Sequence, residues 1–286
     1  AKKKTEPPGE VRYPLLFHML DVATVTQELW ENSLHSGARR FFAEQLGLSE
    51  SESAAWISFW AGLHDIGKAS PVFQRKSEAA KYQLESTGVV FELHVADISH
   101  GMITSYVFPS LVESTLPKHN FPGDMAQSIG FAIGGHHGTF RINDPKRRQM
   151  GDSKWNNIRA AFTNQLARLL NISSLPAPQY VKDNAFYVML AGLTSVADWI
   201  GSSEEFFPLE VEHTLEEHLT YAGQQAEKAV RSLGWEAWKP PTQTATLQQL
   251  FPIIITKPRP LQMKVSELAK MLANKPGLVI MEAPMG

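Results

Sequence analysis

An all-α fold over residues 1–237 is the class this sequence predicts, followed from residue 238 by a segment of different character. Three observations predict it. Apolar residues recur at the helical period of about 3.6 in one segment after another. Alternating apolar and polar runs, the mark of half-buried strands, are nearly absent before residue 240. Capping residues and glycine pairs punctuate the periodic segments.

The first helix is expected over His18–Leu34, where Leu20, Val22, Ala23, Val25, Leu29 and Trp30 give one apolar face. Ser53 caps a second, in which Trp56, Phe59, Trp60 and Leu63 fall at i, i+3, i+4 and i+7. A third runs through His100 and ends before Pro109, since proline lacks the donor a helix interior needs. Residues 124–134 form a fourth, with Asp124 near its cap and Gly134-Gly135 breaking it. Trp155, Ile158, Phe162, Leu166 and Leu169 place a helix over 154–170, and two more follow at 184–200 and 213–233.

Composition then changes. Trp238-Lys239-Pro240-Pro241-Thr242 is a turn-rich boundary. Leu247 to Ile255 is apolar and β-branched, a short helix is expected over Val265–Leu272, and Leu278-Val279-Ile280-Met281 reads as a buried strand. No internal repeat or low-complexity tract is present.

The 286 residues are 43% hydrophobic and 20% charged, ordinary for a globular chain. No apolar run approaches the roughly 20 residues of a membrane span, and the polar first residues lack a signal-peptide core. The absence of cysteine excludes disulfides and thiolate metal sites. A net charge of −2 leaves no global basic field, so any nucleic-acid contact must rest on local charge.

Local chemistry centres on histidine. His18 opens the first helix, His64-Asp65 ends the second and is followed by Ile66-Gly67-Lys68, and His100 lies in Ser99-His100-Gly101. His136-His137 follows Gly134-Gly135, whose backbone freedom could turn both rings inward, and Asp198 sits on a late helix. Five histidines and two aspartates beside helices suit a metal centre with nitrogen and oxygen ligands. Adjacent helical side chains diverge by about 100°, so His64 and Asp65 fit two metals better than one, with Asp65 bridging. Two ions about 3.5–4 Å apart can hold an attacking oxygen and a phosphate oxygen together. Imidazole and carboxylate without thiolate suit iron, manganese, nickel, cobalt or zinc better than calcium. Each element also has a plain structural explanation: a His-Asp pair as a cap, a lone histidine in the core, a buried hydrogen-bonded aspartate.

The ordered set Phe17-His18-Met19-Leu20-Asp21-Val22-Ala23, Leu63-His64-Asp65-Ile66-Gly67-Lys68, Ser99-His100-Gly101, Gly134-Gly135-His136-His137-Gly138 and Ser195-Val196-Ala197-Asp198-Trp199-Ile200-Gly201-Ser202 resembles the HD superfamily of metal phosphohydrolases. Within it the chain is similar to the HD nuclease domain of the CRISPR type I helicase–nuclease, over essentially its whole length. The His-Asp-x-Gly-Lys stretch is shared by many HD enzymes; the Gly-His-His-Gly and Ala-Asp-Trp-Ile-Gly-Ser segments are more specific. The resemblance implies that His18, His64, Asp65 and Asp198 hold one divalent ion, that Asp65 bridges, and that His100, His136 and His137 complete the second. Iron, manganese, nickel or cobalt are the ions implied, with magnesium as a further candidate. It implies cleavage of single-stranded DNA, a cytoplasmic location, recruitment by the Cascade surveillance complex, a helicase in cis, and susceptibility to an inhibitor protein.

Leu278 to Gly286 is similar to the strand and first half of the phosphate-binding loop of a superfamily 2 helicase, and Phe251 to Gln262 to its adenine-reading segment. ATP and magnesium would belong to that helicase alone, whose lysine and hydroxyl residue are not in this sequence. With His64 and Asp65, Lys68 is a catalytic candidate that stabilises phosphate charge. Ser195 is a candidate for orienting a water or carboxylate. Arg141, Lys146, Arg147, Arg148 and Lys154 supply local positive charge for a DNA backbone. Two other functions remain open: an HD nucleotide phosphohydrolase or cyclic-dinucleotide phosphodiesterase, and a non-catalytic docking module with the HD fold.

Overall fold

The computed structural model describes residues 13–92, 94–140, 144–209, 212–236, 246–252, 257–272, 280 and 282. It divides into two units, Ala1–Trp238 and Lys239–Gly286. Among the described residues all regular structure is helical: α1 (Leu15–Asn32), α2 (Ser36–Leu46), α3 (Glu50–Gly62), α4 (Pro71–Gln74), α5 (Glu78–Ser86), α6 (His100–Thr115), α7 (Gly123–Gly134), α8 (Arg147–Met150), α9 (Ser153–Leu169), α10 (Asn184–Gly201) and α11 (Leu215–Ser232). The second unit adds α12 (Leu247–Leu250) and α13 (Pro260–Leu272). The strand expected at 278–281 and the loop after it lie outside the described residues, save for Ile280 and Glu282.

Helix α1 is the axis of the first unit. It buries 13 of its 18 residues, so it is apolar nearly all round and packs against α3, α10 and α11. It begins at Leu15 behind Pro14, which places His18 inside the helix and not at its opening. A buried hydrogen bond joins it to α11, His218 Nε2 lying 2.9 Å from Asp21 Oδ1. Phe17 stacks on the same imidazole at 3.8 Å. Beneath them Trp56, Trp60, Phe42 and Phe186 meet edge-on or tilted, with centroids 5.2–6.4 Å apart.

Four boundaries differ from expectation, each for a local reason. Helix α2, absent from the expected set, buries Phe42, Ala43 and Leu46 on one face; His35 caps Gly37 N and Gly47 closes it at φ 64°. Helix α3 is capped by Ser49, not Ser53: Ser49 Oγ accepts from Glu52 N, and the Glu52 carboxylate accepts from Ser49 N. Ser53 lies buried inside that helix. Helix α6 runs through Pro109 to Thr115, at the cost of the bond residue 109 would make to the Ser105 carbonyl. The His64-Asp65 stretch is not α-helical but a 3₁₀ turn over Leu63–Lys68.

Three glycines set how closely the site's backbones approach. A Cβ on Gly67 would lie 2.0 Å from the His100 carbonyl oxygen, and one on Gly101 would lie 2.1 Å from that of Gly134. A Cβ on Gly134 would meet Gly101 O at 2.4 Å. The 3₁₀ turn, α6 and α7 therefore touch through main chain, with no room for side chains between them.

Candidate metal centre

All seven metal candidates converge. His18 comes from α1, His64 and Asp65 from the 3₁₀ turn, His100 from the first residue of α6, His136 and His137 from the turn after α7, and Asp198 from α10. They form two groups, His18, His64, Asp65 and Asp198 in one and His100, His136 and His137 in the other, with ligand atoms in each within 4.8 Å of one another.

Asp65 faces both. Its Oδ2 lies 3.2 Å from His18 Nε2 and 3.4 Å from His64 Nε2. Its Oδ1 lies 3.1 Å from His100 Nε2 and 3.8 Å from His136 Nε2. Asp198 Oδ1 closes the first group, 3.2 Å from His18 Nε2 and 3.3 Å from His64 Nε2. His64 and Asp65 thus reach one point although they are neighbours. Their Cβ atoms diverge by about 120° in a 3₁₀ turn, but the long imidazole and short carboxylate swing back together.

Backbone carbonyls fix the tautomers of two of the histidines. His64 Nδ1 is 2.8 Å from the Ala61 carbonyl, which only accepts, so Nδ1 carries the hydrogen and a neutral His64 presents a lone pair at Nε2. That lone pair faces two carboxylate oxygens. His136 repeats the device, donating from Nδ1 to Ile133 O at 2.7 Å and turning Nε2 toward His100 Nε2 at 3.4 Å. His18 Nε2, His64 Nε2 and Asp65 Oδ1 are buried without a hydrogen bond among the described residues, while Asp65 Oδ2 takes the Lys68 ammonium. Lone pairs aimed at a common point from nitrogen and carboxylate oxygen fit a divalent cation, and the backbone bond on the far ring nitrogen is the usual way to orient a ligating histidine.

In the metal-free protein the same carboxylates and imidazoles shift one another's protonation. His64 is pushed up to about 9: burial opposes its charge, and the Asp65 and Asp198 carboxylates outweigh burial. Asp65 is held well below the usual carboxylate range, because Lys68 and His64 overcome its desolvation. Asp198 is lowered likewise, its own burial being overcome by His18 and His64. His136 is driven down to about 3 by burial and by the charge on His64. Burial and His100 lower His137 as well.

The supporting residues are largely hydroxyls. Thr104 Oγ1, fully buried, donates to His64 O at 2.8 Å and accepts from Gly67 N at 3.0 Å, clamping the 3₁₀ turn to α6. Ser202 Oγ donates to Asp198 Oδ1 at 3.0 Å. The Ser195 hydroxyl lies 2.7 Å from His136 O and 2.8 Å from Ala191 O, so it anchors the backbone of the histidine turn. Sequence reasoning misses Thr104, whose only signal is a hydroxyl one turn after His100. Nor do Gly134 and Gly135 supply backbone freedom. Gly135 has φ −85°, and only Gly138 in that turn is left-handed, at φ 75°.

Lys68 is no solvated lysine, for its ammonium is paired directly with Asp65 Oδ2. The basic run is less open than its sequence suggests. Arg148 Nε is 3.1 Å from Glu92 Oε2, and Lys154 Nζ donates to Gly88 O at 2.6 Å. Lys146 and Arg147 are exposed. Arg141 lies outside the described residues.

Comparison with known proteins agrees with this geometry. The family model described as "Cas3, HD domain" matches residues 1–207. The chain is 32% identical to the CRISPR-associated endonuclease/helicase Cas3 of Thermus thermophilus, over 97% of this chain and 30% of that protein. Its fold matches the crystal structure of the Thermus thermophilus Cas3 HD domain in the presence of Ni2+, with a TM-score of 0.60 and 29% identity over 78% of this chain and 86% of that one. It also matches a chain of a CRISPR RNA-guided surveillance complex in a pre-nicking state, with a TM-score of 0.64 and 25% identity over all of this chain and 32% of that one. The chain therefore spans about a third of the curated relatives it matches. Helices, ligand set and family model lead to one conclusion: this chain belongs to the Cas3 HD-domain family.

Proposed function

We propose that this chain is a metal-dependent nuclease domain that hydrolyses phosphodiester bonds of single-stranded DNA in CRISPR interference. The observation that carries this reading is Asp65, with one oxygen turned to each histidine group. A pair of divalent ions bound there would supply Lewis-acid activation of water and charge neutralisation on phosphate. His18, His64, Asp65 and Asp198 would hold one, and His100, His136 and His137 with Asp65 the other. The Thermus thermophilus HD domain was crystallised in the presence of Ni2+, which favours a first-row transition metal here, with iron, manganese and cobalt sharing the ligand preference.

The chain's own residues define the rest. His18, His64 and Asp65 are buried, His100 is half-buried and His137 exposed, so substrate approaches from the His100–His137 side. Lys68 can turn from Asp65 to a non-bridging phosphate oxygen, setting positive charge where negative charge builds. Lys146, Arg147 and Arg148 give the backbone of a single strand its electrostatic attraction.

Residues 1–237 would be the nuclease domain, and 238–286 a linker and the beginning of a helicase in cis, to which ATP would belong. Surveillance-complex recruitment, control by an inhibitor protein and a cytoplasmic location follow from the same reading.

The test is cleavage of circular single-stranded DNA after metal is stripped and restored as manganese, nickel, cobalt or magnesium. Metal-dependent cutting that Asp65→Ala abolishes is expected. A folded, metal-loaded protein that leaves DNA intact but turns over free nucleotides would replace the nuclease with a nucleotide phosphohydrolase.

A further inference from the structure

A small cavity lies beside the second histidine group. Its volume is about 230 Å³, and its walls are Met102, Ser105, Phe131, Thr139 and Phe140 over a floor of Gly101 and Gly134. Both floor residues adjoin the site: Gly101 follows His100, and Gly134 lies two residues before His136. Apolar and aromatic walls predominate, with the Ser105 and Thr139 hydroxyls at the margin. Ser105 Oγ is already committed to the Gly101 carbonyl at 2.9 Å. The volume lies below the roughly 300 Å³ at which pockets for drug-sized ligands begin, which suits one planar ring system.

Phe140 borders this cavity. It is 62% exposed, yet its ring lies against Gly135, where a Cβ would meet Phe140 Cε1 at 2.2 Å. The backbone of the histidine turn thus holds the ring, while much of it stays open to solvent. Large exposed aromatics are unfavourably hydrated unless something covers them, and bases stack on such rings without regard to sequence.

We propose that this cavity receives one nucleobase of a single-stranded nucleic acid, stacked on Phe140, next to the phosphate presented to the metal centre. The inference rests on the nuclease reading and adds a positioning residue to it. Phe140 is not itself a metal candidate; it would fix the strand's register by holding a base while the adjoining phosphate reaches His100 and His137. A base on an aromatic platform needs no readout of its edges, so the site accepts any base and rejects a position that has none.

The test is binding of a labelled oligothymidylate and of the same oligomer with abasic positions, to the full chain in chelator so that nothing is cut. Wild type should favour the base-bearing strand. Phe140→Ala should lose affinity for it by about tenfold and be unchanged on the abasic strand, and Phe140→Tyr should restore it. An oligomer carrying 2-aminopurine should be quenched by wild type and not by Phe140→Ala. Equal affinity of wild type and Phe140→Ala for the base-bearing strand, or an equal loss on both strands, overturns the base site. If that happens while metal-dependent cutting persists, the nuclease reading stands without it. If wild type neither binds nor cuts single strands, both fall.

Discussion

Thr104→Val offers the sharpest test of how the centre is held. The change keeps shape and volume but removes a fully buried hydroxyl that donates to His64 O at 2.8 Å and accepts from Gly67 N at 3.0 Å. An unpaired buried backbone group costs about 1–3 kcal/mol. Two such groups, partly relaxed within the 3₁₀ turn, give a destabilisation of about 2–4 kcal/mol. Urea denaturation of the metal-free protein measures it directly, as a lower midpoint with unchanged slope. Because the clamp positions the turn carrying His64 and Asp65, metal affinity should also fall, by about 10–100-fold. Thr104→Ser, which keeps the hydroxyl, should recover most of the affinity while losing the smaller free energy of a buried methyl. A valine variant within about 0.5 kcal/mol of wild type, the ordinary scatter of neutral surface changes, with unchanged metal affinity, would refute the clamp.

Other consequences can be checked separately. Arg159, buried, donates to Ala69 O at 2.7 Å and Met150 O at 2.9 Å, and burial lowers it to about 10; Arg159→Met should cost about 2–4 kcal/mol in denaturant. His64 is raised from 6.5 to about 9 in the metal-free protein, so its contribution to stability is complete below about pH 6.5 and disappears as pH rises through about 9. The melting temperature of the metal-free protein should fall across that window, and metal uptake near pH 8 should release a proton detectable in weak buffer. Arg147→Ala with Arg148→Ala should weaken single-strand binding and flatten the logarithmic salt dependence by about 0.7 for each phosphate no longer engaged. Most of that effect should come from Arg147, since Glu92 already pairs with Arg148; binding unchanged across salt concentrations would remove the idea. Gly67→Ala should abolish metal binding, because its Cβ would sit 2.0 Å from the His100 carbonyl; a variant that still takes up metal would contradict the close approach of the two backbones.

Much of this is legible in the sequence because periodicity reports what a helix buries. Helices α1, α3, α9, α10 and α11 fall within a few residues of their expected bounds, and the candidate ligands stand out by their type and their position beside helices. What escapes shows which forces sequence patterns omit. Helix α2 buries Phe42, Ala43 and Leu46 among charged and polar neighbours, a stripe too short to stand out in the sequence. Pro109 reads as a stop, yet packing of α6 against α7 outweighs one missing hydrogen bond. The hydroxyl of Thr104 meets residues 37 and 40 positions away, a pairing no local pattern contains. Arg148 and Lys154 read as open charge, and their partners Glu92 and Gly88 come from a different stretch of chain.

The close approaches at Gly67, Gly101 and Gly134 have a consequence for redesign. At each of them the obstructing atoms include main-chain atoms, and at Gly67 and Gly101 a carbonyl oxygen is the nearest. A crowded side chain can be relieved by shrinking its neighbour, but a carbonyl has no smaller version. No second substitution can rescue a methyl group placed at Gly67 or Gly101. Anyone retuning this centre for another metal has seven candidate ligand side chains to vary, but the frame that brings them together permits no such exchange.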